Sequence, residues 1–335
     1  MKRKSQAVEK DRAQFADRNQ LKKLLSRYEI AQFKNSIIVH ADCFDVLRQF
    51  PECCIDGVVT DPPYGVKEYE EHELKRMHSG GTGIWRLPPT FDGNQRSPLP
   101  RFTALNARER KVLEDFFTKW GRLVLRILKP GGHMLIASNA FMSQLVFQSL
   151  VAAGLEFRGE VVRLVQTLRG GDRPKLGEEE FPEVSSLPRG GYEPWGLFRK
   201  ALPKGQTVRD CLRTLGTGGL RRKAGGLPFS DVIQSERTPQ RERLIANHPS
   251  LKPQSLMRQL VRTILPLGRG IVLDPFMGSG STVAAAEALG YQCIGIERYA
   301  DYFKLAQNAI PRLVKSTAGL KGGTIHHKDQ LGFNL

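Results

Sequence analysis

Cysteine is scarce in this sequence, and its few copies are scattered. There are five cysteines in 335 residues, and no two of them have the two-residue spacing of a metal-binding pair. An odd and dispersed set of this kind argues against a disulfide framework and against a zinc site. We therefore expect reduced thiols, no bound metal and a reducing compartment. The cysteines are Cys43, Cys53, Cys54, Cys211 and Cys293.

Long apolar runs are also missing. No segment approaches the ~18 consecutive apolar residues that a membrane-spanning helix needs. The basic start of the chain, Met1 to Lys4, is not followed by the apolar core of a secretion signal. These two absences predict a cytoplasmic protein that has no membrane partner.

Acidic residues are too few to balance the basic ones. The sequence has 34 Asp and Glu residues against 51 Lys and Arg residues, a formal net charge of +17. Much of the surplus lies in two segments: residues 1–35 have ten basic and four acidic side chains, and residues 199–247 have eleven and four. Segregated positive charge favours a polyanionic partner, because neutralising phosphates releases counterions. We therefore expect nucleic acid as the partner.

Short β-branched runs alternate with segments of helical periodicity along much of the chain. Strands are predicted at 36–40, 56–60, 133–137, 155–165, 193–198, 270–274 and 291–296, and helices at 42–47, 107–128, 141–153, 255–265, 281–289 and from 301. This order predicts the Rossmann-like α/β class, a mainly parallel, twisted sheet flanked by helices. Residues 66–106 have no clear period and are predicted to form a long loop.

Apolar periodicity supports the predicted helix at 107–128. Val112, Phe116, Leu123 and Ile127 recur there at helical spacing.

A glycine-rich turn follows the strand at 270–274. Gly278 and Gly280 lack a Cβ, so the backbone there can turn tightly and approach a ligand closely. Glu297 ends the next strand, where its carboxylate can accept hydrogen bonds from two ribose hydroxyls. This order of strand, glycine turn, helix, strand and acidic residue is typical of a site for an adenosine-containing cofactor.

Asp274 distinguishes two such cofactors. The turn reads Asp-x-Phe-x-Gly-x-Gly rather than Gly-x-Gly-x-x-Gly. The carboxylate of Asp274 would repel the pyrophosphate of a nicotinamide cofactor, but it can pair with the cationic ammonium of S-adenosylmethionine. The first amides of the next helix, with Ser281 and Thr282, can hold the cofactor's carboxylate. S-adenosylmethionine is therefore the predicted cofactor, and a nicotinamide oxidoreductase is the rival interpretation.

Asp61-Pro62-Pro63-Tyr64 directly follows the strand at 56–60. The exocyclic amino nitrogen of a nucleic-acid base is a poor nucleophile, because its lone pair is delocalised into the ring. Two hydrogen-bond acceptors placed at the amino hydrogens would reduce this delocalisation. Asp61 supplies a carboxylate, and the Pro62 carbonyl is the simplest second acceptor, because prolines fix φ and remove competing N–H donors. Tyr64 offers a ring on which a flipped base can stack, worth about 1–3 kcal/mol. The turn predicts in-line methyl transfer to an extruded base.

With these two motifs, the chain resembles the amino-group DNA methyltransferases. The turn Asp61–Tyr64 matches their catalytic motif, and Asp274–Gly280 matches their cofactor loop. The catalytic motif comes first in the chain, which is similar to the permuted beta class. The resemblance implies a site-specific methyltransferase that acts on double-stranded DNA. A cognate restriction endonuclease is a candidate partner, and the oligomeric state is either a monomer or a homodimer. Asp at the first motif position implies N6 of adenine as the target.

Three further segments resemble the same class. His248–Pro253 is similar to the segment that lines the methionine end of the cofactor, which implies that Lys252 lies there. Ala41-Asp42-Cys43 is similar to a Gly-Asp-Cys element, which implies that Asp42 lies near the adenine ring. Gly191–Gly196 is loosely similar to a late β-hairpin motif. The predicted cofactor-binding residues are Asp42, Cys43, Asp61, Lys252, Asp274, Pro275, Phe276, Gly278, Ser279, Gly280, Ser281, Thr282 and Glu297.

These motifs divide the chain into five predicted parts. They are a basic N-terminal arm (1–35), a catalytic half (36–198), a target-recognition insert (199–247), a cofactor-binding half (248–315) and a polar tail (316–335). The insert is assigned by its charge and by its position, which resembles the variable recognition region of the family. Its predicted DNA contacts, to base edges or to phosphates, are Arg221, Arg222 and Lys223.

Other functions stay open on the sequence alone. The same chemistry fits the N4 amino group of cytosine, or RNA. A DNA-binding protein with an inactive site is an alternative from another class, and the intact catalytic motif argues against it.

Overall fold

The structure is a computed structural model, and it describes residues 18–63, 107–167, 179–185, 190–246, 248 and 250–316. The predicted loop at 66–106, most of the polar tail and the first half of the basic arm lie outside these residues. Tyr64 of the catalytic motif also lies outside them.

Nine strands form a single sheet within the described residues. Their order across the sheet is β1-β2-β9-β8-β3-β4-β6-β5-β7. The strands are β1 (Glu29–Gln32), β2 (Ser36–His40), β3 (Ile55–Thr60), β4 (Leu128–Ala137), β5 (Glu156–Thr167), β6 (Gly190–Arg199), β7 (Val232–Gln234), β8 (Ile271–Asp274) and β9 (Gln292–Glu297).

The middle of the sheet is parallel. Strands β2, β9, β8, β3 and β4 pair in parallel in that order, whereas β1 and β6 are antiparallel to their neighbours. The carboxyl ends of the parallel strands therefore share one edge, which we call the carboxyl edge, and their amino ends share the opposite amino edge. This mainly parallel α/β sheet confirms the predicted fold class.

Helices cover both faces of the sheet. One hydrophobic core lies beneath α1 to α4, and a second lies beneath α7 to α9. The helices are α1 (Arg18–Leu25), α2 (Cys43–Gln49), α3 (Ala107–Ile127), α4 (Ser143–Ala152), α5 (Val208–Thr214), α6 (Gln240–Ile245), α7 (Gln254–Ile264), α8 (Ser281–Ala288) and α9 (Ala300–Val314).

The second half of the predicted basic arm belongs to the sheet. Leu21 and Leu25 of α1 are buried in the first core, and β1 extends the sheet beside β2, with Ile30 opposite Val39. Residues 18–35 therefore pack on the domain instead of extending from it.

The predicted helix at 107–128 is present as α3, and its buried face is not the stripe that begins at Val112. Val112 is 64% exposed, whereas Leu113, Phe117, Trp120 and Val124 are buried with Ile127. The sequence has apolar pairs at Val112-Leu113 and Leu123-Val124, so two stripes one residue apart fit the helical period equally well. The apolar spacing therefore located the helix but did not decide which of the two stripes is buried.

Candidate active site

The predicted cofactor turn lies at the carboxyl edge, between β8 and α8. Gly278 and Gly280 both have left-handed backbone conformations, with φ of 52° and 84°. A Cβ on Gly280 would lie 2.6 Å from Cγ1 of Ile310, and a Cβ on Gly278 would lie 3.0 Å from Cε1 of His248. Glycine is needed at both positions for conformation and for space.

Asp274 is buried behind this turn. Its Oδ1 accepts hydrogen bonds from Oγ1 of Thr60 at 2.7 Å and from the backbone N–H of Phe276 at 3.2 Å. Burial raises the pKa of Asp274 to about 6. The carboxylate thus joins the end of β3 to the end of β8, and its pairing with a cofactor ammonium stays a prediction.

Glu297 holds the other side of the turn. Its Oε2 accepts a hydrogen bond from the N–H of Gly278 at 2.9 Å, and its Oε1 accepts one from the N–H of Tyr299 at 2.9 Å. Burial raises the pKa of Glu297 above its ordinary value. Each carboxylate oxygen has a second lone pair, so the predicted ribose contact is compatible with these bonds.

Asp42 lies at the neighbouring strand end. It caps α2, because its Oδ1 accepts a hydrogen bond from the N–H of Phe44 at 2.8 Å. His40, at the end of β2, is paired in register with Glu297. Cys43 is buried, and burial together with the charge of Asp42 raises its pKa to about 12, so this thiol is a packing group and not a nucleophile.

An aromatic cluster supports Phe276 of the turn. Its ring centroid lies 5.5 Å from that of Trp120 and 6.2 Å from that of Phe116, and Phe116 lies 5.3 Å from Phe44. The cluster joins α2, α3 and the turn into one apolar wall. The sequence patterns did not single out Trp120 or Phe116 as site residues, and their only sequence signal is the apolar periodicity of α3.

Asp61 follows β3 at the same edge and forms an ion pair with Lys252. Its Oδ2 lies 2.7 Å from Nζ of Lys252, whose second partner is Oε1 of Glu193 at 2.9 Å. The three side chains are only 12–15% exposed. Pro62 is buried and Pro63 is exposed. The structure therefore brings the predicted catalytic residue Asp61 against Lys252, which was predicted to contact the cofactor.

Glu193 forms a second ion pair, with Arg163, on the side away from Asp61. Oε2 of Glu193 lies 3.0 Å from Nη1 of Arg163, and Arg163 also donates to Oγ of Ser235 at 3.0 Å and to the carbonyl of Glu236 at 3.2 Å. We call the four charged residues Asp61, Lys252, Glu193 and Arg163 the ion chain.

The buried members of the ion chain stabilise each other's charges. Burial alone would raise the pKa of Glu193, but the cations of Lys252 and Arg163 hold it well below its ordinary value. Burial would lower the pKa of Lys252, but the carboxylates of Asp61 and Glu193 raise it. Glu193 and Lys252 are therefore both ionised at neutral pH. Glu193 lies in the loosely matching segment Gly191–Gly196, whereas no motif pointed to Arg163.

His248 lies between the cofactor turn and the ion chain. Its ring contacts Tyr302 edge-on at 4.5 Å between centroids, and it lies beside Gly278. Burial and the nearby charge of Lys252 lower the pKa of His248 to about 4, so the ring is neutral at physiological pH. His248 and Lys252 thus link the two motifs in space, although the motifs are 213 positions apart in the sequence.

The predicted DNA-contact residues lie elsewhere. The guanidinium of Arg221 donates a hydrogen bond to the hydroxyl of Tyr291, just before β9, and its backbone N–H donates to the carbonyl of Thr263 at 2.8 Å. These partners belong to the amino edge of the sheet, and Arg222 and Lys223 follow there in the chain. The structure therefore does not bring these three cations to the catalytic edge.

Metal-binding clusters and membrane-spanning helices are both absent from the described residues. No group of three or more His, Cys, Asp or Glu side chains there has a geometry that could hold a metal ion. None of the helices in these ranges combines the length and the apolar character needed to span a membrane.

The turn glycines allow a matched test of stability. Gly280 and Gly290 both have left-handed φ values, 84° and 72°, which cost an L-residue about 1–2 kcal/mol. Only at Gly280 would a Cβ also collide, with Ile310, because nothing lies within 4 Å of a Cβ at Gly290. Gly280→Ala should therefore cost about 1–3 kcal/mol more than Gly290→Ala in urea unfolding. Equal losses would contradict the packing of this turn.

Known proteins resemble this chain in sequence. A family model described as DNA methylase, of the N6/N4 methyltransferases, matches residues 187–308. The chain is 22% identical over 298 residues to the type II methyltransferase M.HindIII of Haemophilus influenzae, a match that covers 82% of this chain and 94% of that protein. It is 23% identical over 277 residues to the type II methyltransferase M2.DpnII of Streptococcus pneumoniae, covering 82% and 89%.

Solved structures of similar fold also exist. The PvuII DNA methyltransferase, described as cytosine-N4-specific, aligns with a TM-score of 0.52 at 16% identity and covers 84% of this chain and 92% of its own. A putative DNA modification methylase from Thermus thermophilus, solved with S-adenosyl-L-methionine, aligns with a TM-score of 0.51 at 19% identity and covers 84% and 97%. At these identities the likeness concerns the fold, and it confirms the predicted Rossmann-like methyltransferase fold.

Proposed function

We propose that this chain methylates N6 of adenine in double-stranded DNA. The proposal proceeds from the sequence matches, which support a DNA methyltransferase of the N6/N4 family. S-adenosylmethionine is the methyl donor. The base is flipped out of the duplex and methylated by direct in-line transfer.

The observation that carries the proposal is the adjacency of the two motifs. Thr60, the residue before Asp61, donates a hydrogen bond to Asp274 at 2.7 Å, and Asp274 begins the cofactor turn. A carboxylate that can accept an amino hydrogen therefore lies beside a turn built for close approach of a ligand. Direct methyl transfer needs such positioning more than it needs acid–base chemistry.

The residues of the turn fit S-adenosylmethionine. Gly278 and Gly280 give the turn the left-handed backbone that a tight ligand loop needs, and buried Ser281 and Thr282 begin α8 directly after them. Asp274 would face the ammonium, Glu297 the ribose and Asp42 the adenine. When bound, the cofactor supplies an electrophilic methyl group on a sulfonium.

Asp61 is the group that acts on the substrate. The ammonium of Lys252 fixes one of its carboxylate oxygens at 2.7 Å, and an ionised carboxylate only accepts hydrogen bonds, as the amino hydrogens require. The Pro62 carbonyl is the proposed second acceptor. Tyr64 is the proposed stacking partner of the flipped base.

The choice of adenine over cytosine depends on Asp61, since the family resemblance associates an aspartate at this position with adenine. The test is to incubate DNA with the protein and S-adenosylmethionine labelled in the methyl group, and then to digest the DNA to nucleosides. We expect the label in N6-methyladenine. Label in N4-methylcytosine, or in RNA only, would overturn the adenine assignment, and label in neither nucleic acid would favour an inactive DNA-binding protein.

Asp274 gives this proposal a pH dependence. Its pKa is about 6, so the side chain is neutral below this pH and ionised above it. Because only the carboxylate attracts an ammonium, affinity for S-adenosylhomocysteine should rise between about pH 5 and 7. Titration calorimetry at three pH values measures this rise, and Asp274→Asn should remove most of it. A flat profile in the unaltered protein would contradict the ammonium contact.

A further inference from the structure

The basic insert predicted at 199–247 divides into two parts of very different charge. Residues 199–226 contain eight Lys and Arg side chains and one acidic residue, Asp210. Residues 227–247 contain three basic and three acidic side chains. The entire positive surplus of the insert therefore lies in its first part.

This first part packs at the amino edge of the sheet. The N–H of Gly131 donates to the carbonyl of Lys200, and the N–H of Gly218 donates to the carbonyl of Gly131, both at 2.9 Å. The hydroxyl of Thr217 donates to the carbonyl of Pro130. Arg221 is bonded to Tyr291, which precedes β9. These partners lie at the amino ends of β4 and β9.

The second part runs to the opposite edge. Strand β7 pairs in parallel with β5, with Val232 opposite Val162. Ser235 and Glu236 follow β7 and are hydrogen-bonded to Arg163 of the ion chain. Only the part of the insert without net charge therefore reaches the catalytic edge.

The two edges face in opposite directions, so a straight duplex that lies on one edge does not lie on the other. Strand β3 has six residues, and at about 3.3 Å per residue it separates the edges by about 20 Å. DNA that delivers a base to Asp61 lies on the carboxyl edge, and the sheet stands between that DNA and residues 199–226. The surplus charge must therefore serve another contact.

Five cations of the basic insert and its surroundings are exposed at the amino edge. Arg209 and Arg213 lie four residues apart on α5, so they share one face of that helix. Among the described residues, no carboxylate forms an ion pair with exposed Lys204, Arg209, Arg213, Arg222 or Arg269, and Asp210 is engaged in capping α5 through Thr207. We define the amino-edge face as Lys204, Arg209, Arg213, Arg222 and Arg269.

We propose that the amino-edge face binds the phosphate backbone of a second segment of double-stranded DNA while the carboxyl edge holds the segment that is methylated. The choice of duplex DNA as the partner rests on the proposed function. Exposed arginines without a carboxylate partner can bind the phosphates of a DNA backbone. Contacts with phosphates carry no sequence information. The face would keep the protein on DNA between methylation sites.

The test compares two variants that each lose three positive charges. The amino-edge variant is Arg209→Gln, Arg213→Gln, Arg222→Gln, and the control is Lys119→Gln, Arg122→Gln, Lys304→Gln, whose cations are exposed on α3 and α9. The affinity of each full-length protein for a long random-sequence duplex is measured over a range of salt concentrations. The slope of log K against log salt should become shallower by about 2–3 in the amino-edge variant and should hardly change in the control.

Stoichiometry gives a second measurement. Analytical ultracentrifugation with duplexes of about 12 bp should find two bound per unaltered chain and one per chain of the amino-edge variant. Equal salt slopes in all three proteins, or an equal decrease of the slope in both variants, would overturn the proposal of a second DNA-binding face. The proposed function would remain intact. Stronger binding of RNA than of duplex DNA would overturn the choice of partner. An unaltered protein that binds no DNA would overturn both proposals.

Discussion

Asp61→Ala is expected to lower the rate of methyl transfer by about 100- to 1000-fold, the usual loss when a preorganised group that acts in the transition state is removed. Binding of S-adenosylhomocysteine should hardly change, because the cofactor turn is held by Asp274 and Glu297. Single-turnover methylation and titration calorimetry measure the two quantities separately. A slower single-turnover rate with unchanged affinity for S-adenosylhomocysteine would assign Asp61 to the chemical step.

Asp45→Ala is the matched control for this change. Asp45 also pairs with a cation, Arg48 at 3.0 Å, but both side chains are more than 60% exposed. Such a surface pair contributes about 0–1 kcal/mol, so the control should behave as the unaltered protein. If Asp61→Ala kept most of its activity, the assignment of Asp61 as the acceptor would be wrong.

Lys252→Met is expected to affect both stability and rate. The change leaves the buried carboxylates of Asp61 and Glu193 without the cation that lies 2.7 and 2.9 Å from them. Breaking a buried ion pair in this way costs about 3–5 kcal/mol. The freed Asp61 carboxylate should also shift, and a misplacement of about 1 Å can lower the rate by about 100-fold. Urea unfolding and single-turnover methylation measure the two effects.

Two further variants separate positioning from charge repulsion. Adding Asp61→Asn to Lys252→Met removes the carboxylate that is left without its cation, whereas Glu193 keeps its ion pair with Arg163, so stability should recover in part while the rate stays low. Lys252→Arg keeps the charge and should retain more activity than Lys252→Met. If Lys252 acted on the cofactor instead, Lys252→Met would weaken S-adenosylhomocysteine binding and leave the saturated rate unchanged.

Short contiguous motifs could be located from the sequence. Asp61 follows a strand, and Gly278 and Gly280 lie in a turn before a helix, and the structure has these elements where the patterns predicted them. Local conformation decides such sites, because a left-handed φ or a strand end depends on a few neighbouring residues. The parallel sheet followed from the same alternation of elements.

The ion chain could not be predicted, because its members come from distant segments. Arg163 lies on β5, Glu193 on β6 and Lys252 before α7, and only the packing of these elements brings the side chains within 3.0 Å of one another. The sequence patterns assigned no role to Arg163 or Glu193, and they assigned Lys252 to the cofactor. Their burial, and the pKa shifts that follow from it, depend on the folded chain.

Composition could not place the predicted DNA contacts within the fold, for a similar reason. It identified residues 199–247 as strongly basic, but it held no information on which edge of the sheet the segment would reach. Gly218 packs against Gly131, and this contact draws the basic part of the segment to the amino edge. The same limit explains α3, where paired apolar residues left two possible buried faces.

The most direct test of the central claim is sequencing with detection of modified bases, on DNA from cells that express either the unaltered protein or Asp61→Ala. The proposed function predicts N6-methyladenine at one recurring sequence in the first sample and its loss in the second. Methylation of cytosine would contradict the adenine target, and methyladenine that persists when Asp61 is replaced would contradict the proposed catalytic role of Asp61-Pro62-Pro63-Tyr64.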